Sequence, residues 1–304
     1  MTAKGKKPIT PEQALLWAQA AHIFYIEALM SQSELTAKEL VFHGGTSLRL
    51  SWNSARHSED LDFLLSNDVP SLDLIISKVM RQMSELLRSI DIDLMVELRD
   101  KTKDPKRMIY HHIVVSHPNV LGNVMVKTEF WRTDPSYLSK YPTELRTPTY
   151  PSLDISVNVS NPIPAATLET AYADKLTAFA TRPHLKWRDI YDLWWIGTQS
   201  KSEIELYSIC DQFLHNLSAY TTLRELPADQ ALSEFLKHDP KKLVELASTD
   251  LKRWLSAKLW DVYSRNGGIE QMVAYTRFAL NAVSEHLRGI RYEENPNLKR
   301  VPRG

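Results

Sequence analysis

An α+β fold is predicted for this chain: a small mixed β-sheet with flanking helices over residues 1–160, then a helical domain over residues 161–304. Three observations predict it. Short apolar runs bounded by turn residues recur between residues 40 and 131, as strands do. Helical periodicity appears among them, before residue 40 and again between residues 72 and 90. Beyond Pro164 the pattern is helical throughout, with turns at Arg182-Pro183, His238-Asp239-Pro240 and Asn266-Gly267-Gly268.

The elements follow in order. Thr10-Pro11-Glu12-Gln13 combines a capping hydroxyl, proline at the first helical position and glutamine three residues after the cap, so a first helix is expected through Met30. Leu40-Val41-Phe42 is a short strand ending at Gly44-Gly45; a small helix spans Thr46–Trp52, and Leu61–Leu65 is a second strand. After the helix at 72–90, strands are expected at Ile92–Leu98, Ile109–Val115 and Val124–Trp131. Prolines 135, 142, 148 and 151 mark an irregular crossing, with Leu153–Val159 as a further edge strand. Helices are expected at Ala165–Thr181, Arg188–Gly197, Glu203–Leu217, Ala228–Lys237, Lys241–Ser264 and Ile269–Leu287.

Composition narrows the function. With 304 residues, 43% apolar and 24% charged, the chain can bury real cores, and 9 glycines and 16 prolines leave little room for low complexity. Its 37 basic and 37 acidic residues cancel, so no whole-molecule field draws in nucleic acid. Local basic patches remain, notably Lys101 to Arg107. The single Cys210 excludes an internal disulfide and a multi-cysteine zinc site, which fits a reducing compartment, and a cytoplasmic location is expected. No run reaches the roughly 18 apolar residues of a membrane span, and the basic N-terminus lacks a signal-peptide core.

The chemistry concentrates in two motifs. Gly44-Gly45-Thr46-Ser47 stands where a strand gives way to a helix, and backbone N–H groups there can face an anion. Glycine permits close approach to a phosphate, and the Thr46 and Ser47 hydroxyls offer further donors. Asp60-Leu61-Asp62-Phe63 follows; strand alternation puts both carboxylates on one face and both apolar residues on the other. Carboxylates beside a phosphate cradle suit magnesium, which takes oxygen ligands and keeps substrate phosphates in its shell. Glu129, at an alternating position of the 124–131 strand, is a candidate third ligand, the rival reading being a surface pair with Lys127. Asp93 and Glu97, expected on a neighbouring strand, are weaker candidates. His111 and His112 alternate across a strand and cannot share one zinc ion, and Trp194 and Trp195 fit a buried helix face.

Together with Arg56-His57-Ser58-Glu59, Lys175-Leu176 and Arg188-Asp189-Ile190-Tyr191-Asp192-Leu193, these motifs resemble the AbiEii/AbiGii (MenT-like) nucleotidyltransferase toxins of the DNA polymerase β-like superfamily, over roughly residues 40–200. The resemblance implies a nucleotidyltransferase core and a toxin of a type IV toxin–antitoxin or phage-defence system. It further implies Asp60 and Asp62 as catalytic metal ligands, and Gly45, Thr46 and Ser47, with Gly44, as phosphate holders. Arg56 and Ser58 would steady the loop or the nucleotide. Lys175 would reach the triphosphate from the helical domain, with Asp192 or Asp189 as its acidic companion.

The expected reaction is transfer of a nucleoside monophosphate from an NTP, with two Mg2+ ions, or Mn2+, as cofactor. RNA, the tRNA 3′ end in particular, is the acceptor the resemblance implies, and an antitoxin protein is a partner. The alternatives are an enzyme that modifies a protein hydroxyl with NMP, and a module that sequesters nucleotide without transferring it.

Overall fold

The structure, a computed structural model, describes residues 6–149, 160–182, 184–199, 206–219 and 228–294. The chain divides into two compact units, Met1–Thr167 and Leu168–Gly304.

The first unit is built on a seven-stranded mixed sheet. Its strands are β2 (Leu40–His43), β3 (Asp60–Ser66), β4 (Met95–Asp100), β5 (Met108–Ser116), β7 (Asn123–Thr133), β8 (Thr143–Arg146) and β9 (Ile163–Ala166), in the order β4-β5-β7-β3-β2-β9-β8. β3 runs parallel to β7, and β2 parallel to β9; the other neighbours are antiparallel. A two-stranded ribbon pairs β1 (Lys7–Pro8) with β6 (Val120–Leu121).

The helices of this unit are α1 (Pro11–Gln32), α2 (Gly44–Trp52), α3 (Asp73–Arg88) and α4 (Pro135–Leu138). α1 starts at the capping box expected from sequence, with Thr10 and Gln13 satisfying each other's backbone N–H groups. Its middle is buried almost all round, from Trp17 to Leu29, because it lies between α3 and the sheet.

Strand alternation decides which side of the sheet is core. Leu61, Phe63 and Leu65 of β3, Leu40 and Phe42 of β2, Val126 and Phe130 of β7, and Ile109 and Ile113 of β5 join α1 and α3 in one apolar cluster. Phe63 sits at its centre, its ring 4.7 Å from that of Phe130 and 5.3 Å from that of Phe42. Burying a side chain of this size stabilises by about 1.5–3 kcal/mol. The opposite side carries Asp60, Asp62, Lys127, Glu129, Tyr110 and His112, with a small cluster of Val41, Leu64, Leu138, Tyr141 and Ala166 at one end.

The second unit is helical: α5 (Leu168–Thr181), α6 (Arg188–Gln199), α7 (Leu206–Ser218), α8 (Ala228–Leu236), α9 (Pro240–Leu251), α10 (Ala257–Arg265) and α11 (Gly268–Glu294). α11 packs against α6 through α10. Asp239 caps α9 by accepting from the Lys241 N–H at 2.9 Å.

Several elements differ from the sequence expectation. Residues 163–166 form strand β9 instead of opening a helix at Ala165, because Ala165 pairs with Phe42 of β2 and the segment also pairs with β8. The unit boundary accordingly falls after β9, and β8 was not anticipated. The single helix expected over Lys241–Ser264 is two, since Ser256 caps a new start at α10. Asp93 lies in the turn before β4 and not on a strand. The edge strand expected at Leu153–Val159, and residues 203–205 of the expected third helix of the second half, lie outside the described residues.

Candidate active site

The site grows from the junction of β2, α2 and β3. Register carries the carboxylates into one patch: Asp62 stands opposite Glu129 of β7 on one side and His43 of β2 on the other, while Asp60 stands opposite Lys127. Paired residues of neighbouring strands point to the same face, so Asp60, Asp62, Lys127 and Glu129 share it.

Gly44 adopts φ +77°, in the left-handed region that only glycine enters freely. A Cβ there would overlap the Asp62 Oδ2 and lie 3.1 Å from its Cγ. The first turn of α2, whose N–H groups lack helical partners, is thus set directly against a catalytic-type carboxylate.

The rest of the turn is buttressed from inside. A Cβ at Gly45 would overlap Arg56 Nη2 and lie 3.0 Å from the Ser58 Oγ. Arg56 is only 1% exposed, and its Nη1 donates to the His57 carbonyl at 2.8 Å. Thr46 Oγ1 donates to the Asp60 carbonyl and lies 2.9 Å from the Ser58 Oγ; Ser47 Oγ donates to the Phe42 carbonyl at 3.2 Å. Both hydroxyls are therefore turned into the protein, where they tie α2 to β3 and β2. The groups left to meet an anion are backbone N–H groups.

His22, which the sequence reading passed over, completes the support. Its Nε2 donates to the Glu59 carbonyl at 2.9 Å, anchoring the residue before Asp60 onto α1. Burial pushes its pKa down to about 4, so the ring is neutral at pH 7. A histidine within the apolar stretch Ala20–Ile26 of a capped helix was the available signal.

The carboxylates of the patch act on one another. Burial raises the pKa of Glu129, and the nearby charges of Asp62 and Asp60 raise it further; Trp131 and Lys127 offset this only in part. Lys127 Nζ lies 3.7 Å from Asp60 Oδ1, both side chains being partly exposed. Three carboxylates on oxygen-only chemistry, beside unpaired helix N–H groups, fit a hard divalent ion with phosphate in its shell.

Among the described residues, the group whose ligand atoms all lie within 4.8 Å of one another is Asp91, Asp93 and His117, and not Asp60, Asp62 and Glu129. Here His117 Nδ1 accepts the Asn119 N–H at 3.0 Å, which leaves the ring proton of the neutral form on Nε2. That proton faces Asp91 Oδ2 at 3.5 Å and Asp93 Oδ2 at 4.0 Å. The group is a histidine bridging two carboxylates. Glu97 is engaged by Arg99 at 3.0 Å.

In the second unit, Lys175, Asp189 and Asp192 come together as a buried ion cluster. Lys175 Nζ lies 3.0 Å from Asp189 Oδ1 and 2.7 Å from Asp192 Oδ2, and Arg182 also pairs with Asp189. Burial works to raise the Asp189 pKa, but the charges of Lys175 and Arg182 prevail and hold it below the usual range. Helix α5 supplies the lysine and α6 both acids, one turn apart.

No helix among the described residues is long and apolar enough to cross a membrane. No curated protein matches the sequence significantly. Two solved structures share the fold. One is JHP933 from Helicobacter pylori, 18% identical with a TM-score of 0.52, the match covering 96% of this chain and all of that one. The other, described as a nucleotidyltransferase candidate of H. pylori, is 17% identical with a TM-score of 0.52, over 93% of this chain and 99% of that one. The family described as "Nucleotidyl transferase AbiEii toxin, Type IV TA system" matches residues 28–257, which include both the carboxylate patch and the Lys175 cluster. The chain belongs to the AbiEii family of nucleotidyltransferase toxins of type IV toxin–antitoxin systems.

Proposed function

We propose that this enzyme transfers a nucleoside monophosphate from an NTP to an RNA hydroxyl, with the tRNA 3′ end as acceptor and Mg2+, replaceable by Mn2+, held by Asp60, Asp62 and Glu129. The observation that carries this reading is the contact between the α2 N-terminus and Asp62: a phosphate-binding turn and a metal-type carboxylate meet at Gly44 with no room for a Cβ.

The chain's own groups divide the work. The partly exposed Gly44–Gly45 backbone at the start of α2 receives phosphate oxygens, and buried Thr46 and Ser47 hold the turn in shape through their hydroxyls. Arg56 and Ser58 support that turn from beneath. The acceptor hydroxyl oxygen forms a bond to the α-phosphorus while the bond to the bridging oxygen breaks, so pyrophosphate leaves and the hydroxyl proton is released. Divalent ions, when bound, neutralise the triphosphate and lower the pKa of the attacking hydroxyl. Lys175, with Asp189 or Asp192, enters the reaction on the strength of the family resemblance.

Incubation of the protein with total RNA, total protein and each labelled NTP tests the reading. Label is expected in RNA, dependent on Mg2+, and lost in Asp60→Ala and Asp62→Ala variants that keep wild-type circular dichroism. Label in protein would move the acceptor to a protein hydroxyl, and labelling by the alanine variants would remove the carboxylates from the chemistry. The toxin–antitoxin family implies a cognate antitoxin, whose effect on the labelling is read by adding it to the reaction.

A further inference from the structure

The carboxylate face extends beyond the metal patch, across strands that the transfer chemistry does not use. One row of the sheet runs Arg99, His112, Lys127, Asp60; the next runs Tyr110, Glu129, Asp62, His43. Moving from the carboxylates toward the β4 edge, the face therefore changes from acidic to aromatic and basic.

Two rings sit at that transition. Tyr110 and His112 meet edge to face, with centroids 5.0 Å apart and Nε2 of the histidine 2.8 Å from the tyrosine hydroxyl. The contact holds both rings in place, and both residues are partly exposed. Cations flank them: Lys127 is 38% exposed, and Lys101 is exposed with its N–H bonded to the Tyr110 carbonyl at 2.8 Å. The positive charges of Lys101, Lys127 and Arg99 all bear on His112, although Arg99 is already committed to Glu97.

We propose that Tyr110 and His112, with Lys127 and Lys101, form the seat of the acceptor strand, taking the terminal bases of a single-stranded RNA end on the rings and its phosphates on the lysines. The inference rests on the transfer reading above and specifies its acceptor side. A nucleoside triphosphate is already matched by the Gly44 turn and the carboxylates, and it needs no row of cations leading away from them. A polynucleotide needs both elements, because any base has a face to stack and each residue of the strand adds a phosphate. The neutral whole-chain charge makes this local charge pattern the relevant attraction.

The test measures binding without NTP, so that no turnover occurs, using the full chain and a fluorescent 12-nucleotide single-stranded RNA with a free 3′ end. Tyr110→Leu and His112→Leu are each expected to weaken binding by about 10-fold, the loss of one stacked base. Lys127→Gln and Lys101→Gln are each expected to lower the salt slope by about 1. NTP affinity stays at the wild-type value in the ring and Lys101 variants. Tyr110→Phe keeps the stacking face and is expected to bind within reach of wild type, which covers the case of a leucine variant that does not fold. Unchanged RNA affinity in the folded variants overturns the seat. So does a loss of NTP affinity in place of RNA affinity, since the rings would then hold the nucleotide base, and so does equally tight binding of the same RNA annealed to its complement. RNA bound through these residues but never labelled sustains the seat and refutes the transfer reading; no RNA binding by the wild type refutes both.

Discussion

Replacing Gly44 by alanine puts the central geometry at risk with a single methyl group. Two costs follow. The backbone at φ +77° would have to hold a β-carbon, at about 1–2 kcal/mol. The methyl would also overlap Asp62 Oδ2, so the carboxylate must turn away or α2 must lift off β3. For a unit of this size the backbone cost lowers the melting temperature by about 2–4 °C per kcal/mol. A carboxylate displaced by roughly 1 Å costs turnover about 10²-fold. Pyrophosphate release under saturating NTP and thermal unfolding with and without Mg2+ read the two effects separately. Gly44→Ala is expected to melt only modestly earlier yet to lose most of its turnover and most of the stabilisation by Mg2+. Wild-type turnover in a variant that melts as expected would refute the claim that the turn fixes Asp62.

Other perturbations follow from the same structure. His22 is held neutral in the fold, with a pKa depressed from 6.5 to about 4. Its contribution is therefore present above pH 6.5 and is lost as the pH falls toward 4. The loss is about 3 kcal/mol by linkage, and His22→Gln is expected to flatten that limb of a urea-unfolding series. Glu129 has a raised pKa, so its ionised form weighs against the metal-free fold from its unfolded pKa upward. Glu129→Gln is expected to raise the melting temperature at pH 7 in chelator and to shrink the further rise on adding Mg2+; a lower melting temperature in chelator would contradict this. Lys175→Met takes from buried Asp192 the ammonium 2.7 Å away and from Asp189 one of its two cations, Arg182 being the other. Removing one member of a buried pair costs about 3–5 kcal/mol. Calorimetry should see that loss, and a stability equal to wild type would show that the cluster is not structural. Kinetics of Lys175 variants are interpretable only beside that measurement.

The sequence made the carboxylate face legible because its cause is local. Alternation from Asp60 to Phe63 sorts acid from apolar on any strand, and the Gly44-Gly45 break announces a strand-to-helix turn. What could not be read came from pairing. β9, Ile163–Ala166, is four small or apolar residues running into a helix, and only its partners Phe42 and the β8 residues make it a strand. Ser256, a good cap inside an amphipathic run, signalled the break before α10, but no glycine or proline reinforced it. The resemblance put Arg56 at the loop or the nucleotide, but its burial depends on the space left under Gly45. The Lys175 cluster depends on how α5 and α6 pack, and the row of Tyr110, Glu129 and Asp62 on a register set by three strands.

That register has a further bearing on how such a protein can fail. β3 is an inner strand, bonded to β2 on one side and β7 on the other, and the residues it alternates are Phe63 for the interior and Asp60 and Asp62 for the proposed site. A slip by one residue would send both aspartates beneath α1 and bring the phenylalanine out to water. The same hydrogen-bond ladder thus proofreads the core and the chemistry at once. On the proposed reading, a copy with β3 out of register is an inert one.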